Sequence, residues 1–180
     1  MIRFLDIIFS IVGLVICTPF IIIIALLCFF ETRKPIFRQV RIGKNEVPFT
    51  IFKFRTMKEN TISAPTHLID AKSVTQLGQF LRKHKLDEIP QLWNVLMGDM
   101  SLVGARPCLA TQEELITQRK IRGVFSEKPG ITGLAQLNGI DMSEPIRLAN
   151  LDQEMLSGLS LYGYLKYIMM TVFRVMSINI

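Results

Sequence analysis

The chain has 180 residues and a net charge of +6, and 49% of its residues are hydrophobic. This length suits one domain whose core needs no disulfide framework, and the three cysteines have neither a CxxC pair nor metal-ligand spacing, which favours a reducing, cytosol-facing location. The positive charge favours an anionic partner, such as lipid headgroups, a phosphorylated substrate or nucleic acid.

Residues 7–30 contain no charged side chain, and roughly 20 apolar residues are enough to cross the core of a bilayer. The apolar run is too long for a signal peptide, and no small-x-small cleavage site follows it. The next residues, ETRKPIFRQVR, are rich in Arg and Lys. The positive-inside tendency therefore predicts that the rest of the chain lies on the cytoplasmic side.

Pro19 lies inside this apolar run. Proline cannot donate to the Val15 carbonyl and its ring crowds that carbonyl, so a kink is predicted. The Thr18 hydroxyl is expected to satisfy the freed carbonyl, which lowers the penalty in lipid. Hydropathy leaves two geometries open. One is a kinked helix that spans the membrane, and the other is a helix that bends back and leaves the membrane by the face through which it entered.

Residues 36–57 predict a β-hairpin, because aromatic and β-branched runs flank the turn-prone GKNE. Lys53 and Arg55 alternate with phenylalanines, as in a strand with one polar and one apolar face. Residues 58–75 are polar, contain Pro65 and predict a loop.

Three further helices are predicted over residues 76–84, 87–97 and 111–122. The first has Leu77, Phe80 and Leu81 on one face, and the second has Ile89, Leu92, Trp93 and Leu96 at helical spacing. Residues 98–110 and 128–139 are punctuated by Gly and Pro and predict ordered loops.

The C-terminal residues form an amphipathic stripe, whose members are Leu161, Leu165, Ile168, Met169, Val172, Phe173 and Met176. A helix packed on the core explains this stripe. A helix lying in the membrane interface explains it equally well, and the nearby tyrosines and basic residues favour that alternative.

Several well-known motifs are absent from the sequence. It has no GxxxxGK[ST] or GxGxxG loop, which argues against a Walker-type NTPase and a Rossmann cofactor site. It has no HExxH and only two histidines, His67 and His84, which argues against a histidine-rich zinc site. No D-x-D pair is present. Nucleic-acid binding is not expected, because no recognisable module accompanies the charge and a membrane anchor argues against it.

Asp87 and Glu88 lie in the stretch LDEIP. Proline is tolerated in the first turn of a helix, so Pro90 predicts a helix that starts near residue 87, with Asp87 as N-cap and Glu88 in the first turn. An ordinary acidic helix start explains this arrangement in full.

The same arrangement also suits catalysis. A helix N-terminus lowers the pKa of a carboxyl group, so Asp87 would stay ionised and act as a nucleophile. Glu88 could hold Mg²⁺ shared with substrate phosphates. Attack on a diphosphate also needs cations to neutralise charge, and the candidates are Arg82, Arg106, Lys53 and Arg55. Each of these cations alone is also explained as a solvated surface residue.

Three stretches resemble the bacterial sugar transferase family, the small monotopic phosphoglycosyl transferases. They are KFRTM (53–57), LRKHKLDEIPQLWNVLMGDMSLVGARP (81–107) and KPGITGLAQLNG (128–139). The hydrophobic helix broken at Thr18-Pro19 is similar to the re-entrant membrane helix of this family. The resemblance covers nearly the whole chain, and its central motif is highly specific.

The resemblance implies an α+β, mostly helical fold. A re-entrant membrane helix over residues 1–34 would precede a compact catalytic domain over 35–180, which has a small β-hairpin and amphipathic interfacial helices. The implied location is the cytoplasmic face of the bacterial inner membrane. The chain looks like the minimal catalytic form, without the multi-span N-terminal region of larger relatives.

The implied reaction transfers a phosphosugar from a UDP-sugar to undecaprenyl phosphate, or another polyprenyl phosphate, and releases UMP. It is the first membrane step of a glycan pathway. By position, Asp87 carries over as the nucleophile of a covalent phosphosugar intermediate and Glu88 as the Mg²⁺ partner. Arg82 and Arg106 match arginines near the phosphate, and Lys53 and Arg55 fall in a motif that lines the same site.

The chain departs from the family pattern at three places. GARP replaces the common GPRP, so Ala105 is expected to loosen the turn that aims Arg106. Ile140 follows LNG where Arg is common, and QEMLSG near Asp152 replaces an aromatic pair. These regions are candidates for sugar and uridine recognition, so the sugar is not inherited by analogy.

Two alternatives stay open beside the covalent mechanism. Asp87 could act only as a base in a direct ternary transfer, or the chain could be a catalytically silent membrane scaffold of the pathway. The sequence does not fix the sugar, the pathway or the oligomeric state, and a homo-oligomer is compatible with it.

Overall fold

The computed structural model describes residues 1–58 and 73–177, with side chains up to residue 174. The predicted loop with Pro65, and His67, lie almost wholly outside these residues. The elements in chain order are α1 (Ile2–Thr32), β1 (Ile36–Ile42), β2 (Pro48–Phe54), α2 (Gln76–Lys83), α3 (Gln91–Met97), β3 (Ser101–Val103), α4 (Glu113–Ile121), β4 (Gly130–Thr132), α5 (Leu134–Leu137), α6 (Pro145–Ser157) and α7 (Leu161–Ser177). The fold is α+β and mostly helical, as predicted.

Helix α1 is continuous through Pro19. Its 31 residues correspond to about 46 Å at the usual rise per residue, and its length and composition would allow it to cross a membrane. The Thr18 hydroxyl donates to the Leu14 carbonyl at 2.7 Å. The prediction that Thr18 would satisfy Val15 was therefore wrong, because in a helix the threonine hydroxyl reaches the carbonyl four residues before it.

Both ends of α1 are fixed to the same domain. Near the N-terminus, Arg3 donates from Nη2 to the Leu96 carbonyl at 2.8 Å. Near the C-terminus, Ile24 and Cys28 pack in a cluster with Phe54 and Leu81. Both ends of α1 therefore contact the same domain. This geometry is compatible with the re-entrant expectation.

Asp6 makes the strongest polar contact between α1 and the domain. Its Oδ1 accepts hydrogen bonds from Ser101 Oγ at 3.0 Å, the Leu102 N–H at 2.9 Å and Tyr164 Oη at 2.7 Å. The side chain is buried, and burial of a charged group is tolerated when hydrogen bonds satisfy it. Asp6 thus joins α1 to β3 and α7.

The predicted hairpin is confirmed, with β1 and β2 antiparallel and Phe37 opposite Lys53. Asn94 of α3 binds the other edge of β2: its Oδ1 accepts from the Phe52 N–H at 3.1 Å, and its Nδ2 donates to the Thr50 carbonyl at 2.7 Å. The expected division into a polar and an apolar face is incomplete, because Ile51 and Phe54 are buried on opposite faces.

The two predicted loops, 98–110 and 128–139, instead contain β3 and β4, which pair in parallel. Their backbones approach so closely that a Cβ on Gly130 would lie 2.0 Å from the Gly104 nitrogen. Glycine therefore serves close packing here rather than a flexible turn. Residues 134–137 of the second stretch form α5.

Helices α2, α3, α4 and α7 were predicted, with differences in extent and packing, whereas α6 was not. Phe80 of α2 and Trp93 of α3 are exposed, although the spacing placed both on inward faces. The buried side chains of α3 are Gln91, Asn94 and Val95. Helix α6 carries a sequence signal, Pro145 at its first turn.

Helix α7 packs on the domain through the fully buried Tyr164 and through Thr171, whose hydroxyl lies 2.6 Å from that of Thr132. The outer face is apolar and exposed at Leu165, Met169, Met170, Val172 and Phe173. A core-packing role is therefore wrong for most of the predicted stripe. Unpartnered apolar area of this extent is typical of a contact surface.

Candidate active site

Asp87 and Glu88 lie in a single 3₁₀ turn, Leu86–Glu88. Helix α3 begins only at Gln91, with Pro90 as its N-cap residue. The prediction that Asp87 caps this helix was wrong. Lys85, in a left-handed conformation with φ of 58°, turns the chain after α2, and Pro90 then delays the next helix. The turn presents both carboxylates, each only 8% exposed, towards β2 and residue 106.

Two cations bind the same oxygen of Glu88. Lys53 Nζ lies 2.7 Å from Oε1, and Arg106 Nη2 lies 2.5 Å from it. Burial alone would raise the pKa of Glu88, but Arg106 and Lys53 outweigh it and hold the pKa well below its ordinary value. Glu88 is therefore ionised at neutral pH and fixes both cations beside Asp87.

Asp87 has the opposite electrostatic balance. Burial and the neighbouring Glu88 raise its pKa, and the cations Lys53, Arg106 and Arg82 offset only part of that effect. The expectation of a lowered pKa was wrong, because Asp87 is not at a helix N-terminus and is removed from water. When ionised, such a carboxylate is poorly solvated and correspondingly more nucleophilic.

Arg82 is held close to Asp87 by α2. Its Nε donates to Thr56 Oγ1 at 2.8 Å, and it lowers the pKa of Asp87 electrostatically. Gly78 permits this approach, since a Cβ there would lie 2.1 Å from the Thr56 carbonyl oxygen. Thr56 belongs to the KFRTM stretch but was not singled out from the sequence.

The turn that carries Arg106 is held by buried guanidinium groups. Arg119 Nη1 donates to the Arg106 carbonyl at 2.7 Å, and Arg41 Nη1 donates to the Pro107 carbonyl at 3.1 Å. The Ala105 carbonyl accepts from the Gly130 N–H at 2.9 Å. Three hydrogen bonds therefore fix the turn that contains Ala105, and the expected loosening relative to proline stays a prediction.

Arg41 is a site cation that the sequence analysis missed. Burial and the proximity of Arg106 lower its pKa to about 10, opposed by Cys108 and Glu88. Its position on β1, whose pairing with β2 brings Gln39 and Arg41 to the same face as Lys53, follows from the predicted hairpin. Asp87 and Glu88 are thus surrounded by four cations, Lys53, Arg82, Arg106 and Arg41.

Arg55 is not brought to the carboxylates. Its Nε donates to the Lys34 carbonyl at 2.9 Å, and its guanidinium lies over the Phe37 ring at 5.6 Å. Thr18 and Pro19 are exposed, on the side of α1 that does not contact the domain.

Asp152, in a region expected to contact the sugar or uridine, is fully buried and paired with Arg119. The Asp152 side chain therefore offers no surface to a substrate, and the expected role of the neighbouring QEMLSG residues in sugar or uridine recognition stays a prediction. The sequence analysis did not find this ion pair because it did not predict α6. Only the packing of α6 on α4 brings residues 119 and 152 together.

The donor set fits a hard divalent cation shared with a substrate. Within residues 1–58 and 73–177, no three His, Cys, Asp or Glu side chains cluster to hold a metal unaided. Mg²⁺, however, usually takes one or two carboxylates and completes its shell with water and phosphate oxygens. Lys53 and Arg106 both bind Oε1 of Glu88, which leaves Oε2 and the Asp87 carboxylate as oxygen donors.

Comparisons with known proteins identify the family of the chain. The profile of the family described as bacterial sugar transferases matches residues 1–178. The uncharacterized sugar transferase EpsL of Bacillus subtilis is 41% identical over 140 residues, which cover 78% of this chain and 69% of that protein.

Two further relatives carry substrate names. A UDP-glucose:undecaprenyl-phosphate glucose-1-phosphate transferase of Klebsiella pneumoniae is 39% identical over 96% of this chain, which spans 39% of that protein's length. A putative undecaprenyl-phosphate N-acetylgalactosaminyl 1-phosphate transferase of B. subtilis is 42% identical over 58% of this chain and 60% of that protein. The family match over nearly every residue, together with these similarities, shows that the chain belongs to the bacterial sugar transferase family.

Proposed function

We propose that this protein transfers a phosphosugar from a UDP-sugar to undecaprenyl phosphate, or another polyprenyl phosphate, and releases UMP. The observation that carries the proposal is the buried pair Asp87–Glu88 surrounded by Lys53, Arg82, Arg106 and Arg41. The four cations outnumber the two carboxylates, so positive charge remains to bind a diphosphate. Relatives named as undecaprenyl-phosphate sugar-phosphate transferases support the substrate class.

In the first step, a carboxylate oxygen of Asp87 attacks the phosphorus that bears the sugar. A bond forms between that oxygen and phosphorus, and the bond from phosphorus to the bridging oxygen breaks. UMP leaves with the bridging oxygen and its electron pair. Arg106, whose side chain is 35% exposed, and Lys53 stabilise the charge that develops on the phosphoryl oxygens.

In the second step, a phosphate oxygen of the polyprenyl phosphate attacks the same phosphorus. The new bond creates a polyprenyl diphosphate sugar, and the Asp87–phosphorus bond breaks to return the free carboxylate. Glu88 remains an anion throughout and holds Lys53 and Arg106 in position.

Mg²⁺ is the cofactor we propose, with Glu88 as its protein ligand. Bound there with substrate phosphates, it would neutralise part of the diphosphate charge. The residues of this chain bind and orient the phosphates whether or not the ion participates.

The proposed location is the cytoplasmic face of the bacterial inner membrane. The apolar surfaces of α1 and α7 are exposed, as are Trp93 and Met97 of α3, and together they suit contact with lipid. The basic residues after α1 favour the cytoplasmic side.

The central experiment measures UMP release from radiolabelled UDP-sugars with undecaprenyl phosphate, comparing the wild type with Asp87→Asn. We expect no turnover by the variant. Glu114→Gln is the control for removal of a carboxylate, because Glu114 is exposed in the first turn of α4. Full turnover by Asp87→Asn would refute the covalent mechanism.

Mass spectrometry separates the proposal from its two alternatives. A phosphosugar adduct on the peptide containing Asp87, formed without the lipid acceptor, is expected only for the two-step mechanism. A direct ternary transfer gives UMP without an adduct and without ping-pong kinetics. A silent scaffold gives no UMP with any UDP-sugar. The relatives name different sugars, so the UDP-sugar screen also identifies the donor.

A further inference from the structure

Arg119 and Asp152 form an ion pair in the interior of the domain, outside the set of residues assigned to the reaction. Asp152 Oδ2 accepts from Arg119 Nε at 2.9 Å and from Nη2 at 2.6 Å. Their side chains are 1% and 0% exposed. Arg119 lies on α4 and Asp152 on α6, so the pair forms only when these helices pack.

The third nitrogen of Arg119 connects this pair to the site. Nη1 donates to the Arg106 carbonyl at 2.7 Å, while the side chain of the same Arg106 binds Glu88. A continuous chain of hydrogen bonds therefore runs from Asp152 through Arg119 to the backbone of Arg106, whose side chain binds Glu88. Because a guanidinium is planar and its donors are fixed, Asp152 sets the direction in which Nη1 points.

Stability alone does not account for this arrangement. Apolar residues of similar volume often stabilise a core as well as a buried ion pair does. Asp152 Oδ1 is also buried without a hydrogen-bond partner among the described residues, and an unsatisfied buried oxygen is unfavourable. Burial raises the pKa of Asp152, although Arg119 opposes this effect. The arrangement is better explained by what Arg119 does for residue 106.

We propose that Arg119 and Asp152 are positioning residues that fix the backbone at Arg106 and so aim its guanidinium at Glu88 and the substrate phosphate. The inference rests on the proposed function for its kinetic readout. It also assigns Asp152 an indirect role, acting through two arginines rather than on the sugar.

The kinetic test is a double-mutant cycle that combines Arg119→Lys with Arg106→Ala. Lysine keeps the charge but cannot donate to Asp152 and to the Arg106 carbonyl in the same fixed geometry. We expect Arg119→Lys alone to lower kcat by about 10- to 100-fold, because small misplacements of a catalytic group have effects of that order. In the Arg106→Ala background, Arg119→Lys should lower kcat by less than about twofold. An equal loss in both backgrounds would overturn the proposal.

Arg122→Lys is the matched control. Arg122 also joins α4 to α6, through Nε donating to Asn150 Oδ1 at 2.6 Å, but it makes no contact with the turn at Arg106 among the described residues. Its kcat should stay within about twofold of the wild type.

A second variant separates positioning from folding. Arg119→Met combined with Asp152→Leu replaces the pair by apolar groups, which is expected to preserve stability. A stable double variant with reduced kcat supports the proposal, and a stable, fully active one overturns it. If every variant of the pair lacks a cooperative thermal unfolding transition, the pair belongs to folding alone and the proposal is also overturned.

A measurement that does not depend on activity tests the positioning role if the proposed function is wrong. If the wild type releases no UMP from any UDP-sugar, the guanidinium ¹⁵N resonances of Arg106, assigned with Arg106→Lys, become the readout. Arg119→Lys should broaden or shift them if Arg119 positions the residue. Unchanged resonances would overturn the inference regardless of activity.

Discussion

At the scale of single residues, the site buries the Asp87 carboxylate, whose charged form is unfavourable there. Glu88 is stabilised as an anion by Lys53 and Arg106, whereas Asp87 is buried beside that anion without a direct ion pair among the described residues. The raised pKa of Asp87 means that its charged form destabilises the folded protein. A reactive group held at the expense of stability is typical of active sites.

Asp87→Asn should therefore abolish UMP release and at the same time raise the melting temperature at pH 7. The folded-state pKa of Asp87 lies above its ordinary value of 3.8, so its destabilising effect is complete above the folded pKa and absent below 3.8. Each kcal/mol gained corresponds to about 2–4 °C in a chain of this size. The advantage of Asn should shrink as the pH falls through the folded pKa. Thermal unfolding of both proteins across this pH range tests the prediction, and a lower melting temperature for the variant at pH 7 would contradict it.

Arg106 and Arg55 provide a matched pair for the assignment of cations. Arg106→Ala removes a group that binds Glu88 and should lower kcat/KM by about 10²-fold or more. Among the described residues, the Arg55 side chain contacts the Lys34 carbonyl and the Phe37 ring and neither site carboxylate, so Arg55→Ala should keep activity within about threefold. Steady-state kinetics on both variants tests whether Arg106, but not Arg55, is a cation of the site. A loss of similar size for Arg55→Ala would show that Arg55 moves into the site when the substrate binds.

At the scale of elements, polar side chains dock the pieces that carry the site. Asn94 binds the free edge of β2 and so holds the strand that bears Lys53 against α3. Asp6 joins α1 to β3 and α7. Because α1 is attached at both ends, its course is determined by the domain as well as by lipid.

The attachment of α1 predicts where its two ends lie. Single cysteines at Ile2 and at the exposed Arg33, in a chain lacking the native cysteines, should both react with a membrane-impermeant reagent only from the cytoplasmic side. The two ends pack on the same domain, so they should give the same result. Labelling of residue 2 from the periplasm of intact cells would contradict the prediction.

At the scale of the whole molecule, most of the exposed large apolar side chains among the described residues lie on α1, α3 and α7. They occur along α1, at Trp93 and Met97 of α3, and on the outer face of α7. The site cations lie in the domain that carries this surface. A membrane-bound lipid phosphate and a soluble nucleotide sugar could thus meet there without either substrate leaving its own phase.

Phe173→Lys, in α7, should weaken association with liposomes without unfolding the domain, because this side chain is 61% exposed. Ile121→Lys is the control, since Ile121 is 74% exposed but lies on α4, which packs on α6. Flotation assays and thermal unfolding of both variants give the comparison. Equal loss of flotation in the two variants would show that general hydrophobicity, not α7, drives association. Ile168 is a poor test site because it packs against the core.

The hairpin and the apolar helix could be predicted from the sequence, and the resemblance of its motif blocks to a known family supplied the class of fold and the expected site residues. These features depend on local patterns: an uncharged run of 24 residues in 7–30, alternation around a turn, and motif blocks whose order is preserved. Residues 53, 82, 87, 88 and 106 were candidates because of their charge and their motif positions, and the resemblance to a known family implied their roles.

The raised pKa of Asp87, the position of Arg55 and the contacts of Arg41, Thr56, Arg119 and Asp152 could be found only from the tertiary structure. A pKa depends on burial and on charges brought from distant parts of the chain, and neither is written in a local pattern. The apparent helix cap at Asp87 became a buried 3₁₀ turn because packing against β2 and the turn at Arg106 governs that segment. The local sequence predicts an N-cap at Asp87, whereas tertiary contacts bury this residue near Lys53, Arg82 and Arg106.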